Sequence, residues 1–208
     1  MRRALIALLP LLAAGQAFAA DCSKDVAAAF EKQRTSKAFR VAMTQPSAEG
    51  PVDMTVDYLP PDRMLQTVKA AHMPGEQQTM LVGSRAFAGS SGAFEELLPQ
   101  FTQSIVAEVA TAVGPPQNLG AFECLGTVGF EGKDYVAYRT ADPAAAGADP
   151  AKTMARTIYV DPASGLPAYN VVAALAGKDE PVLKAVYSYP ADLTIEAPVG
   201  APVQKAHQ

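Results

Sequence analysis

The chain has 208 residues, 49% of them hydrophobic, with 17 basic against 21 acidic side chains and a net charge of −4. With no basic run and no basic patch interleaved with aromatics, nucleic acid is excluded as a partner, and the acidic balance serves solubility. Two histidines and two cysteines are too few and too scattered for a cluster with metal-ligand spacing.

The first twenty residues carry Arg2 and Arg3, an apolar run over 4–14, and Ala17-Phe18-Ala19 in the form of a cleavage site, which reads as a secretory signal peptide. The run is too short for a comfortable span and no later stretch approaches ~20 apolar residues, so no integral membrane span is expected after cleavage. Cleavage near Ala20 removes Arg2 and Arg3 and takes the charge to −6. The remainder suits one domain over 21–198, with 199–208 expected as a flexible tail. Export to an oxidising compartment makes a Cys22–Cys124 bridge the default; closing about a hundred residues would add ~4–5 kcal/mol by the chain-entropy model. Asp21 directly before Cys22 argues against lipidation there, and the lack of C-x-x-C argues against redox catalysis.

Helix formers over 23–33, with Ser23 as a candidate N-cap and Val26 and Phe30 on one side, predict a short opening helix. Phe39, Val41 and Met43 alternate with polar neighbours as a first strand. The clearest alternation is Val52, Met54, Val56 and Tyr58 against Asp53, Thr55 and Asp57, a strand with one dry and one wet face. Pro60-Pro61-Asp62 then reverses the chain into a strand over 63–69. Further strands are expected over 77–82 and 85–88, followed by a flexible Gly89-Ser90-Ser91-Gly92 connection. Leu98, Phe101, Ile105 and Val109 fall at helical spacing, with Pro99 in the first turn or at a kink and Gly114-Pro115-Pro116 as the stop. Phe122, Cys124, Gly126, Val128 and Phe130 share a parity and turn back at 131–134 into a strand over 135–140. A loop over 142–151 separates this hairpin from strands over 153–160 and 166–175, joined at Asp161-Pro162-Ala163-Ser164-Gly165, and from a strand over 182–189. Nine or ten antiparallel strands with one short and one longer helix make an α+β domain with a large curved sheet.

Candidate chemistry is sparse. His72 reads as a solvated loop residue and His207 lies in the tail. Gly89-Ser90-Ser91-Gly92 lacks the G-x-S-x-G elbow. The glycines at 126, 129 and 132 sit in a hairpin rather than in the strand-to-helix turn that cradles phosphate. Asp53, Asp57 and Asp62 are explained by the wet face rather than by a cation or acid–base site. The methionines at 43, 54, 64, 73, 80 and 154 fall about one per element, which suits packing against a single dry surface, or a pliable lining, better than soft-metal binding. No cofactor and no catalysis are expected.

The signal peptide, the opening helix, the Tyr58-Leu59-Pro60-Pro61-Asp62-Arg63 reversal, the helix after Gly92, the 159–167 hairpin Tyr-Val-Asp-Pro-Ala-Ser-Gly-Leu-Pro and the closing Ile195-Glu196-Ala197-Pro198 together resemble the periplasmic lipoprotein carrier superfamily of LolA, LolB and LppX type. The resemblance implies an incomplete antiparallel β-barrel lidded by helices, enclosing an apolar cavity for acyl chains, in an exported periplasmic protein. Its implied partner is a lipid or an acylated lipoprotein, bound without catalysis. On strand parity and helical spacing the lining candidates are Val52, Met54, Val56, Tyr58, Met64, Val68, Phe101, Ile105, Val128 and Phe130. The alternative is the same fold filled by its own side chains, serving as an envelope interaction or sensor module with a protein partner.

Overall fold

The computed structural model describes residues 21–117, 119–141, 149, 153–176 and 181–205. The expected signal peptide, most of the 142–151 loop and His207 lie outside the described residues.

The opening helix, α1 (Ser23–Arg34), buries Val26, Ala29, Phe30 and Gln33, a stripe at helical spacing. Ser23 is not its N-cap. That position belongs to Cys22, and the Asp21 carboxylate accepts from the Ser23 N–H (3.0 Å) and hydroxyl (2.6 Å), placing a negative charge at the positive end of the helix. The Ser23 hydroxyl in turn accepts from the Phe122 N–H at 2.9 Å, and the Cys22 N–H donates to the Phe122 carbonyl at 2.8 Å. The Cys22–Cys124 disulfide joins the same two segments across 102 residues, with a Cα–Cα distance of 5.5 Å.

All eleven described strands form one open antiparallel sheet. β1 (Phe39–Gln45), β2 (Val52–Leu59), β3 (Arg63–Ala70), β4 (Gln77–Val82), β5 (Arg85–Ser90) and β6 (Ala93–Glu96) run outward as a meander. The chain then crosses the sheet through α2 (Pro99–Val113) and returns from the opposite edge as β7 (Glu123–Phe130), β8 (Lys133–Ala141), β9 (Met154–Val160), β10 (Pro167–Ala174) and β11 (Leu183–Ser188). β11 pairs with β1, joining the two meanders, while the outer strands β6 and β7 do not meet. The architecture is thus the expected α+β domain with a large curved antiparallel sheet, carried by one short and one longer helix.

Three further sequence expectations change. The Gly89–Gly92 stretch is no loose connection: β5 continues to Ser90, Ser91 and Gly92 take positive φ (53° and 87°), and Ala93 pairs back opposite Ser90. Two left-handed central residues are what a tight hairpin with native twist requires. The tail is docked through Gln204, since Glu96 donates to the Pro202 carbonyl and accepts from the Gln204 N–H, both at 2.8 Å, along the edge of β6. The preceding segment lays Ile195 into a cluster with Met80 and Phe87 on the face away from the helices, where Leu59, Leu65 and Leu193 complete the packing. Finally, Asp57 does not sit on a wet face. It is 6% exposed and takes a bidentate pair from Arg40, at 2.6 Å and 2.9 Å.

Candidate functional site

Partners across an antiparallel ladder share a face, so the registers sort every strand residue. The face carrying both helices has three central rows in its first half. Phe39, Tyr58, Met64, Leu81 and Ala86 form the first; Val41, Val56, Gln66 and Thr79 the second; Met43, Met54, Val68 and Gln77 the third. Val52 continues the same face beyond Met54.

The first row is closed. Phe39, Val56, Tyr58, Met64, Leu81 and Ala86 pack with Val109 of α2 into one buried cluster, with Ile105, Ala112 and Val113 against it. Tyr58 stacks on Phe39 at 4.7 Å, and burial pushes its phenol up to about 12. Moving away from the helix, the wall opens: Val52, Met54 and Val68 are only half-buried, and so is Met43. A groove of about 650 Å³ at the end of β1, β2 and β11 lies mainly on the opposite face, among Ala42, Thr44, Asp53, Thr55, Lys184 and Val186, with Met43 and Met54 also in its lining. The Gln66 amide donates to the Met54 sulfur at 3.0 Å, the polar contact offered to that side chain.

α2 carries little to hold it down. It has no side-chain N-cap, no acid in its first turn and no base in its last, and buries only Thr102 and Val109. Pro99 sits in its first turn, where a missing N–H costs nothing. Phe101 is 51% exposed and Val106 37%, so the helix shows apolar surface outward as well as inward. At its far end the Arg34 guanidinium of α1 donates to the Gly114 carbonyl.

The predicted lining therefore divides. Val56, Tyr58, Met64 and Ile105 meet under α2; Val52, Met54 and Val68 continue the same face into the half-open part; Phe101 points outward. Val128 and Phe130 are on the opposite face. A bulge between Cys124 and Gly126, with Gly126 at φ 73°, sets three residues of β7 against two of β8. Cys124 keeps the helix side, facing Tyr138, whereas Val128 pairs with Tyr135 on the other. One inserted residue reverses every later side chain. Phe130 there stacks on Tyr159 at 4.2 Å, with Tyr135 and Tyr169 edge-on to the pair.

One site group was overlooked in the sequence. Met154, Arg156, Ile158 and Val160 share a parity, and the ladder places all four on the helix side, so Arg156 occupies a dry-face position. Its Nε donates to Asn170 Oδ1 at 3.0 Å, and its guanidinium lies 5.9 Å from the ring centres of both Phe30 and Phe122. Burial lowers the pKa of Arg156 and of Arg34, and the phenol of Tyr187 is the group acting against that effect on both. Arg34 Nε is buried without a hydrogen-bond partner. A charged residue in the parity of three apolar ones was the available signal. Among the described residues no group of three or more His, Cys, Asp or Glu side chains converges as a metal site.

No family model matches the sequence, and no curated protein is similar to it. Among solved structures, LprF from Mycobacterium bovis matches with a TM-score of 0.50 at 12% identity, over 86% of this chain and 97% of that one. Lipoprotein LppX from Mycobacterium tuberculosis gives 0.48 at 12% identity, over 83% and 97%. A LolA superfamily protein from Nitrosomonas europaea gives 0.36 at 13%, over 85% and 96%. The likeness to LprF is one of fold.

Proposed function

We propose that this chain, which has the fold of LprF, is an exported, non-catalytic protein that binds a hydrophobic ligand, a lipid or the acyl chains of a lipoprotein, on the helix-bearing face of its sheet. The observation that carries this reading is the unfinished row: Met43, Met54 and Val68 stay half-buried on the helix-bearing face, in the middle of the sheet. Each methylene taken from water on that row is worth ~0.8 kcal/mol. Thioethers suit acyl chains of differing shape because their side chains repack at little cost. The weakly anchored α2, with Phe101 and Val106 facing out, is the element that would shift to uncover the Val56–Tyr58–Met64 rows beneath it. The Cys22–Cys124 bridge supports residence in an oxidising compartment, and the periplasm is the compartment proposed. Among the described residues no helix is long and apolar enough to cross a membrane.

The test is native mass spectrometry with lipid extraction on protein purified from the periplasm, together with titration of a fluorescent acyl probe. Co-purifying lipid and saturable probe binding are expected; an empty protein that ignores the probe ends the proposal. One observation favours the second reading, a ligand-free envelope interaction module. Met64, Leu81 and Ala86 are already sealed against Val109, each 2% exposed or less. On that reading α2 never moves, and a stable protein partner is captured in place of lipid.

A further inference from the structure

Of the arginines described, Arg40, Arg85 and Arg139 each bind a carboxylate, and Arg63 is exposed. Arg34 and Arg156 differ. Both are half-buried on the helix side, both act on the Tyr187 phenol, and neither meets a carboxylate among the described residues. A cation held in poorly solvated surroundings without a counter-charge is costly, and the cost is recovered when an anion arrives.

We infer that Arg156, oriented by Asn170 and seconded by Arg34, is a receptor for the anionic headgroup of the bound amphiphile, a carboxylate or a phosphate. The inference rests on the acyl-binding reading and adds the ligand's charge to it. The Asn170 oxygen engages Nε and leaves the terminal nitrogens of the Arg156 guanidinium as donors, and a planar fork suits either oxyanion. The rings of Phe30 and Phe122 each lie 5.9 Å from the guanidinium carbon. The ladder also places the tail. From Arg156 on β9 the same face continues through Asn170, Ala185 and Met43 to Met54 on β2. Four strand spacings of ~4.8 Å separate β9 from β2, about 19 Å, a span that a long acyl chain covers. Head at Arg156 and tail toward the methionines would lie on one face of the sheet.

The experiment compares three ligands with one acyl chain: palmitate, palmitoyl lysophosphatidate and uncharged monopalmitoylglycerol, each titrated calorimetrically below its micelle concentration. The wild-type protein is expected to bind at least one of the anions roughly tenfold or more tighter than the glycerol ester, as a charge-assisted hydrogen bond provides; which anion binds tighter separates carboxylate from phosphate. Arg156→Gln should bring the three affinities within about threefold of one another, and Arg156→Lys should restore part of the preference. Should R156Q fail to fold, Asn170→Ala, which frees Arg156 Nε, should reduce the preference several-fold. Equal wild-type affinities overturn the headgroup site and leave the acyl-binding reading standing, as does a preference that survives R156Q. No binding of any of the three overturns both.

Discussion

Asp57 and Asp161 show how much depends on where an acid's partner lies. Asp57 is buried and engaged by two nitrogens of Arg40, so Arg40→Gln leaves a carboxylate in the sheet with its ion pair removed. A loss of ~1–3 kcal/mol is expected from urea unfolding, the lower part of the range applying because Arg40 itself is partly solvated. Asp161 organises the turn between β9 and β10, accepting from the Ala163 N–H at 3.0 Å, the Ser164 N–H at 2.8 Å and the Ser164 hydroxyl at 3.0 Å, with Lys133 alongside. Lys133 first and Ser164 second hold its carboxyl well below the usual carboxylate range. Because its folded pKa is depressed, its contribution is complete above the unfolded value of ~3.9 and fades as pH falls through the folded one. Asp161→Asn should therefore lower the urea midpoint at pH 7, and the gap to the wild type should narrow steadily below about pH 4. A gap that is constant with pH would mean the amide's geometry, not the charge, is responsible. Asp161-Pro162-Ala163-Ser164-Gly165 was readable as this turn beforehand, because short polar side chains bond their own backbone; the burial of Asp57 was not, because Arg40 comes to it only through the β1–β2 register.

α2 and the β7 bulge carry the two structural facts that matter most for the candidate site. Met64→Ala beneath α2 removes a side chain that is 2% exposed and should cost ~2–5 kcal/mol, while Phe101→Ala on the outer side should stay within about 0.5 kcal/mol of the wild type. If α2 is a lid whose outer apolar surface meets the ligand, Phe101→Ala should nevertheless weaken acyl-probe binding; an unaffected probe would place Phe101 outside the route. In β7, Gly126 holds φ 73° with open space where a Cβ would project, so Gly126→Ala tests backbone strain alone, at ~1–2 kcal/mol in denaturant melts. Helical spacing located α2 between a proline and a glycine, and strict alternation located β2, because both periods are local. The bulge escaped notice since Cys124, Gly126, Val128 and Phe130 alternate perfectly along the chain; only the partner strand reveals that an extra residue has been inserted.

At the scale of the molecule, the sheet is sandwiched: helices on one face, the C-terminal segment on the other over the first meander. Ile195, 3% exposed and packed with Met80 and Phe87, anchors that segment, and Arg63 donates to its carbonyl at 2.9 Å. Ile195→Ala should cost ~2–5 kcal/mol, and truncation before Leu193 should expose Phe87 and promote aggregation seen by light scattering. A truncated chain with unchanged melting behaviour would show that this segment does not anchor the sheet.

What the sequence by itself determined is what depends on near neighbours: two helices, the strands and their turns, an antiparallel class and the Cys22–Cys124 link, since periodicity, turn chemistry and a single cysteine pair leave few choices. Long-range pairing settled which rows α2 closes and which stay half-open, that Val128 and Phe130 face away, that the segment around Ile195 covers Met80 and Phe87, and that Arg34 and Arg156 both act on Tyr187. Those facts belong to pairings between residues far apart in the chain, and register between distant strands is written in neither strand alone.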